Sequence, residues 1–152
     1  MDPVVAAIVT LWRELHGELR RALRELDAAE LNWTPGPETN SAAVLVTHLL
    51  GSGQEMFRIA RGLPSDRDRP SEFKVRAASV AELEQRLDAA DAGLEAFAAG
   101  VSAEDLAAGR LHPRRGETRS GAYWLLNNLG HAREHVGALQ LTHQLYRQQH
   151  GG

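Results

Sequence analysis

The sequence contains seven histidines and no cysteine, so histidine and carboxylate side chains are its candidate ligands for a transition metal. His131 and His135 are four residues apart in a segment with helical periodicity, which places both rings on one face of a helix. His48 lies on a mostly apolar stripe of another predicted helix. Three imidazoles from two helices would bind a metal ion and leave one tetrahedral position open, as in catalytic sites. The alternative is that these histidines are solvated, or hydrogen-bonded within the core.

Polar residues close to these histidines in the sequence are candidates for a supporting role. Asn127 and Asn128 lie one turn before His131 and could orient an imidazole or a substrate. Glu55 lies two turns after His48 on the same helix face and is a candidate base, or an acceptor for a ring N–H. The alternative for each is an ordinary polar residue at the surface or between helices. His16 is interpreted as a boundary residue of the first helix. No role is predicted for three further histidines, His112, His143 and His150.

A cluster of arginines precedes the last predicted helix. Arg114 and Arg115, with Arg110 before them and Arg119 after them, could bind the carboxylate of a small anionic substrate. A solvated run of charge in an arginine-rich chain is the alternative. Residues 67–69 alternate in charge within another predicted loop, which indicates a local network of surface ion pairs.

The elements that must position these residues are helices, since Ala, Leu, Arg and Glu dominate the sequence. Apolar residues recur at steps of three and four in four segments: about 3–27, 40 or 41 to about 62, 79–100 and 120–149. Residues 65–79 and 109–116 are predicted to be loops, with a short helical turn at 102–106 between them. The prediction is an all-α protein of one domain, residues 1–152, folded as a four-helix bundle with long connecting loops. The order in which the helices neighbour one another stays open.

Composition excludes several classes of function. The chain has 17 basic and 20 acidic residues, and its net charge of −3 argues against a nucleic-acid partner. We expect a cytoplasmic protein without a membrane partner, because no basic leader is present and no apolar run reaches the roughly 20 residues that a membrane span needs. The motifs of phosphate loops, serine hydrolases and HExxH metalloproteases are absent. Without cysteine, any thiol chemistry requires a sulfur from another molecule.

Over nearly its whole length the chain resembles the DinB-like family of bacterial metal-binding four-helix bundles. The matching segments are Leu31-Asn32-Trp33 with Pro35, Asn40-Ser41 through His48-Leu49, Arg67-Asp68-Arg69-Pro70 with Glu72-Phe73, and His131-x-x-x-His135-x-Gly137 followed by Gln140-Leu141-Thr142 and Gln144-Leu145. The resemblance implies a divalent metal, zinc or nickel, bound by His48, His131 and His135. Many relatives carry Gln or His where this chain has Ala138, a departure that bears on a transferred activity more than on the metal site.

The resemblance also implies an activity. The wider superfamily includes S-transferases that use low-molecular-weight thiols, such as mycothiol or bacillithiol, and a thiol-dependent maleylpyruvate isomerase. We therefore expect a metal-dependent enzyme whose partners are a thiol and a small-molecule electrophile, with the metal deprotonating the thiol. The alternatives are a metal-dependent hydrolase, and a non-catalytic metal-stabilised bundle that acts in stress response or partner binding. Bundle relatives often pair through helix faces, so a homodimer is a further expectation.

Overall fold

The computed structural model describes residues 1–151. Its helices and strands are α1 (Pro3–Arg24), α2 (Ala42–Ala60), α3 (Arg69–Glu72), α4 (Val80–Gly100), α5 (Ala103–Ala107), β1 (Gly109–Leu111), β2 (Thr118–Ser120) and α6 (Gly121–Gln149). A turn of 3-10 helix, Ala28–Glu30, follows α1. The long helices α1, α2, α4 and α6 form a bundle, so the predicted all-α four-helix architecture is confirmed.

Each long helix begins where a side chain accepts a hydrogen bond from the free amides of the first turn. Asp2 caps α1, and serines cap the other three helices at Ser41, Ser79 and Ser120. α1 ends at Arg24, three residues before the predicted end at residue 27, because the chain turns there into the 3-10 helix. No helix within residues 1–151 combines the length and the apolar character that crossing a membrane requires.

The order of the helices around the bundle explains the length of two loops. α2 packs against α4 and α6, and α1 packs against the same two helices. The consecutive helices α1 and α2 therefore stand at opposite corners, as do α4 and α6, and the chain crosses the bundle between them. Aromatic rings fill the centre, where Trp12 meets Phe57 edge to face at 5.0 Å and Phe57 stacks on Phe97 at 4.8 Å.

Two segments predicted to be plain loops carry structure instead. Residues 65–79 contain α3, and the side chains of Arg67 and Glu72 are only 5% and 7% exposed, so this is not merely a surface connection. Residues 109–116 belong to a hairpin in which β1 pairs antiparallel with β2, with Arg110 opposite Arg119. Gly116 has a φ of 67°, a left-handed conformation that favours glycine in the turn. α3 packs onto α2, and the hairpin packs onto α2 and α6. A local sequence pattern does not contain these tertiary contacts.

Candidate metal centre

Three histidines converge where α2 packs against α6. One ring nitrogen from each of His48, His131 and His135 lies within 4.8 Å of the others. The Nε2 atoms of His131 and His135 are 3.0 Å apart, and the ring centroid of His48 lies 4.9 Å from that of His135. The four-residue spacing on α6 brings its two rings onto one face, as the sequence indicates. This group could hold a metal ion, and imidazole is a common ligand of transition metals.

A buried carboxylate determines which nitrogen of His48 is available to a metal. Oε1 of Glu72 lies 3.0 Å from Nδ1 of His48. Nη2 of Arg67 also lies 3.2 Å from this Nδ1, but it donates to the same Glu72 oxygen at the shorter distance of 2.7 Å. Since a carboxylate only accepts hydrogen bonds, the Glu72 contact favours the proton on Nδ1 and leaves the lone pair on Nε2. α3 brings Glu72 close to α2 at Gly51, where a Cβ would overlap the Glu72 carboxylate. The contact joins residues 24 apart, so no local sequence pattern indicates a role for Glu72.

Two of the three histidines, His48 and His135, are in the neutral form that binds metals. Burial lowers the pKa of His48, and the positive charge of Arg67 lowers it further against the opposing effect of Glu72. Burial together with the neighbouring histidines lowers the pKa of His135 to about 4. These two imidazoles are therefore neutral at pH 7 and need not lose a proton before they coordinate. The His131 side chain is 48% exposed, which leaves the cluster open on one side.

An alternating chain of charges extends from His48 to the β-hairpin. The Arg67 guanidinium donates to both oxygens of Glu72, at 2.7 and 2.9 Å, and to Glu55 at 3.0 Å. Arg114 reaches the same Glu55 carboxylate with two bonds, of 2.9 and 2.8 Å. The surface interpretation of residues 67–69 is thus wrong for Arg67, because two carboxylates supply enough partners to bury it.

Glu55 is an anchor for these arginines. It is 2% exposed, and its hydrogen bonds go to Arg114, Ser65 and Arg67. Burial alone would raise the pKa of the Glu55 carboxyl, but these three hydrogen bonds outweigh burial and lower the pKa to about 2. Glu55 makes no hydrogen bond to the histidine cluster. In this arrangement it is too weakly basic to be the base considered from the sequence.

A cavity of about 400 Å³ adjoins the histidines. Its walls include four arginines and no carboxylate from residues 1–151; the arginines are Arg67, Arg69, Arg114 and Arg115. Arg67 and Arg114 are paired with glutamates behind the wall. Within residues 1–151, Arg69 and Arg115 form no ion pair, and each lies over an aromatic ring, Phe73 at 5.0 Å and Trp124 at 5.7 Å. The cavity is therefore electropositive and suited to an anion.

Other residues singled out in the sequence divide between the cavity and the scaffold. Asn127 and Asn128 line the cavity, but neither bonds to His131, and Asn128 donates instead to Ser52 at 2.6 Å. Arg114 and Arg115 face the cavity, as an anion site requires. Arg110 donates instead to Asp105 and to the Ala60 carbonyl. Arg119 lies 3.7 Å from Glu117.

The remaining histidines lie in varied surroundings. His112, for which no role is predicted from the sequence, is 5% exposed and lines the cavity. No local pattern could have revealed it, because the hairpin that carries it was interpreted as a loop. His16 is also buried, at 4% exposure, and its Nδ1 lies 2.7 Å from Asp91, so the boundary interpretation is wrong. His143 bonds to Glu30, and His150 is exposed beside Tyr146.

The fold and the site together define a helical-bundle protein whose histidine cluster could hold a metal. The family model of the DinB superfamily matches residues 11–139, and the chain belongs to that superfamily. The resemblance drawn from the sequence motifs is thereby confirmed. No curated protein sequence matches the chain.

Solved structures with this fold share little sequence with the chain. A conserved protein from Enterococcus faecalis has a TM-score of 0.73 and 18% identity, and the match covers 95% of this chain and 98% of that one. A DinB-like protein from Bacillus subtilis has a TM-score of 0.71 and 17% identity, covering 96% and 92%. The mycothiol-dependent maleylpyruvate isomerase has a TM-score of 0.69 and 18% identity, and this chain spans only 60% of its length. At such identities the likeness establishes the fold.

Proposed function

We propose that this protein is a metal-dependent enzyme that transfers a low-molecular-weight thiol to a small electrophile. The observation that carries the proposal is the open group of His48, His131 and His135 beside an electropositive cavity. The absence of cysteine supports an external thiol. The shared fold of the mycothiol-dependent maleylpyruvate isomerase supports the same class of co-substrate.

The donor set fits a zinc or nickel ion. The Glu72 contact at Nδ1 leaves Nε2 of His48 free to coordinate, and the ring nitrogens of His131 and His135 on α6 lie close to it. When bound, such a metal would supply Lewis acidity that lowers the pKa of a thiol at the open position. The chain supplies orientation and charge. Glu72 fixes the plane and the tautomer of His48, while Arg69 and Arg115 attract an anionic co-substrate into the cavity.

Cobalt substitution tests the proposal directly. Co²⁺ bound through imidazoles has no sulfur-to-metal charge-transfer absorption, and this chain contains no cysteine to create one. Adding a low-molecular-weight thiol to the cobalt-loaded protein should produce that absorption, and the thiol should then be consumed when an electrophile such as a maleate ester is added. The His131→Ala variant should show neither effect, whereas His150→Ala, which alters an exposed histidine of the same helix region, should show both.

The alternative functions give different results in the same experiment. Hydrolysis of the ester by cobalt-loaded protein without added thiol, and no sulfur-to-metal absorption when thiol is added, would indicate a hydrolase instead of a transferase. Metal binding that raises the unfolding temperature, with no thiol binding and no turnover, would leave a metal-stabilised bundle without catalysis. Either result would contradict the proposed function.

A further inference from the structure

His112 stands in the cavity wall without an assigned role. It follows β1 directly, its ring centroid lies 4.9 Å from that of Trp124, and it shares the cavity with His48 and His131. The residue is buried, at 5% exposure. A buried imidazole normally has hydrogen-bond partners on both nitrogens, so the partners of each nitrogen indicate what the ring does there.

The hairpin backbone fixes the tautomer of His112. Nδ1 accepts hydrogen bonds from the backbone amides of Arg114 and Arg115, both at 3.2 Å. A backbone N–H can only donate, so Nδ1 is unprotonated and the proton of the neutral ring lies on Nε2. A proton on Nδ1 would point at the backbone N–H groups of Arg114 and Arg115, and these donors would repel one another. Burial and the charges of Arg114 and Arg115 also lower the pKa of His112, so the ring is neutral at pH 7.

The other edge of the ring is left with a free donor. Nε2 of His112 makes no hydrogen bond to any group within residues 1–151, and it is not among their fully enclosed unpartnered polar atoms. The Nε2–H is therefore not fully enclosed, and the ring that carries it borders the cavity. Arg69 and Arg115 share this wall and, within the described part of the chain, have no carboxylate partner. An uncommitted N–H and two uncommitted guanidinium groups are the donor set for an oxyanion.

We propose that His112 is a substrate-binding residue whose Nε2–H donates a hydrogen bond to an anionic oxygen of the electrophile, a carboxylate or a phosphate, with Arg69 and Arg115 supplying the positive charge. A neutral imidazole holds its last proton tightly, so it donates a hydrogen bond without transferring the proton. The inference rests on the proposed function for the identity of the reaction, but anion binding itself does not require the metal.

One substitution distinguishes substrate binding by His112 from a purely structural role, in which the residue only caps the hairpin through Nδ1. In His112→Asn the amide oxygen can accept from the amides two and three residues on, as in an Asx turn, while the donor at the Nε2 position is lost. If His112 only caps the hairpin, this variant keeps its anion affinity. If His112 binds substrate, the variant loses anion affinity although circular dichroism shows that it is folded. A loss of stability is expected in both cases, because Asn fills less of the buried space beside Trp124.

The measurement is calorimetric titration of metal-free protein with succinate and, separately, with inorganic phosphate at low ionic strength. Whichever probe binds the wild type more tightly identifies the anionic group. His112→Asn and Arg115→Ala should each weaken that probe by about tenfold, the effect of one charge-assisted hydrogen bond. Arg119→Ala removes the same charge from the same hairpin outside the cavity wall and should stay within about twofold of wild type. Equal affinity in His112→Asn and wild type, or no binding of either probe, would overturn the proposal.

A measurement of the tautomer of His112 tests the proposal independently. Long-range ¹H–¹⁵N correlation spectra should show His112 as the neutral Nε2–H form at pH 7, and adding the tighter probe should shift that Nε2 resonance. A proton on Nδ1, or no shift on saturation, would contradict the assignment. If the protein binds metal and thiol but His112→Asn has no effect, this inference fails alone. If anion affinity depends on His112 but no thiol reaches the metal, the proposed transferase fails alone.

Discussion

Glu72 accepts a hydrogen bond from Nδ1 of His48, so removing the negative charge of Glu72 should lower the affinity of the site for a metal ion. In Glu72→Gln the amide can still accept from Nδ1, but the negative charge that makes Nε2 a better ligand is lost. We expect zinc affinity to fall by about 10–100-fold, the usual effect of removing a charged partner behind a ligating histidine. Competitive zinc titration measures this. The control is Glu95→Gln, an exposed glutamate paired with Arg13, and an equal loss in both variants would contradict the role of Glu72.

Protonation of buried histidines should make the metal-free protein sensitive to mild acid. Burial lowers the pKa of His16, His48, His112 and His135, for His135 to about 4. In the unfolded chain a histidine titrates near 6.5, so between about pH 6.5 and pH 4 the unfolded state binds more protons than the folded state. The free energy of unfolding therefore falls as the pH drops through this window and is independent of these groups above it.

Thermal unfolding of metal-free protein at about pH 7.5 and pH 5 checks this. The unfolding temperature should be lower at pH 5. Glu55 contributes little to the difference. It is ionised at both pH values in the folded state, where its pKa is about 2, and it is mostly ionised in the unfolded chain, where a glutamate titrates at about 4.3. An equal or higher unfolding temperature at pH 5 would contradict the protonation states described for these histidines.

At the level of elements, the close approach of α3 to α2 depends on the missing side chain of Gly51. In Gly51→Ala the new Cβ would overlap the Glu72 carboxylate and displace it from His48. The expected result is a loss of about 1–3 kcal/mol in stability from overpacking, together with weaker zinc binding. Gly130→Ala is the matched control, since its Cβ meets open space on α6 and should stabilise the helix by about 0.5–1 kcal/mol. Unchanged zinc affinity in Gly51→Ala would show that α3 does not hold His48.

The long helices could be predicted from the sequence, whereas the elements that complete the site could not. Apolar periodicity and serine caps are local signals, and they placed the start of α2, α4 and α6 within a residue or two. The spacing of His131 and His135 is equally local. Glu72 lies on α3, which packs on α2, and His112 lies on the hairpin, which packs on α2 and α6. The groups that stabilise these short elements are therefore far away in the chain. The burial of Arg67 likewise requires both Glu55 and Glu72, and neither pairing has a sequence pattern.

Across the whole molecule, Arg67 links the histidine cluster to the connection that leads into α6. Removing it would leave the buried carboxylates of Glu55 and Glu72 without their shared partner. Arg67→Ala should therefore lower the free energy of unfolding by about 3–5 kcal/mol, the typical cost of breaking a buried ion pair from one side. Chemical denaturation measures this loss. Arg13→Ala, which breaks an exposed pair with Glu95, should leave the midpoint close to wild type. Similar midpoints for both variants would contradict the structural importance of the buried chain of charges.

The central claim is that His48, His131 and His135 form one metal site, and zinc stoichiometry tests it most directly. Elemental analysis of tag-free protein after incubation with zinc and removal of the excess should give about one ion per chain for the wild type and for His150→Ala. His48→Ala, His131→Ala and His135→Ala should each lose the ion while remaining folded by circular dichroism. Retention of zinc in all three variants, or no zinc in the wild type, would contradict the claim.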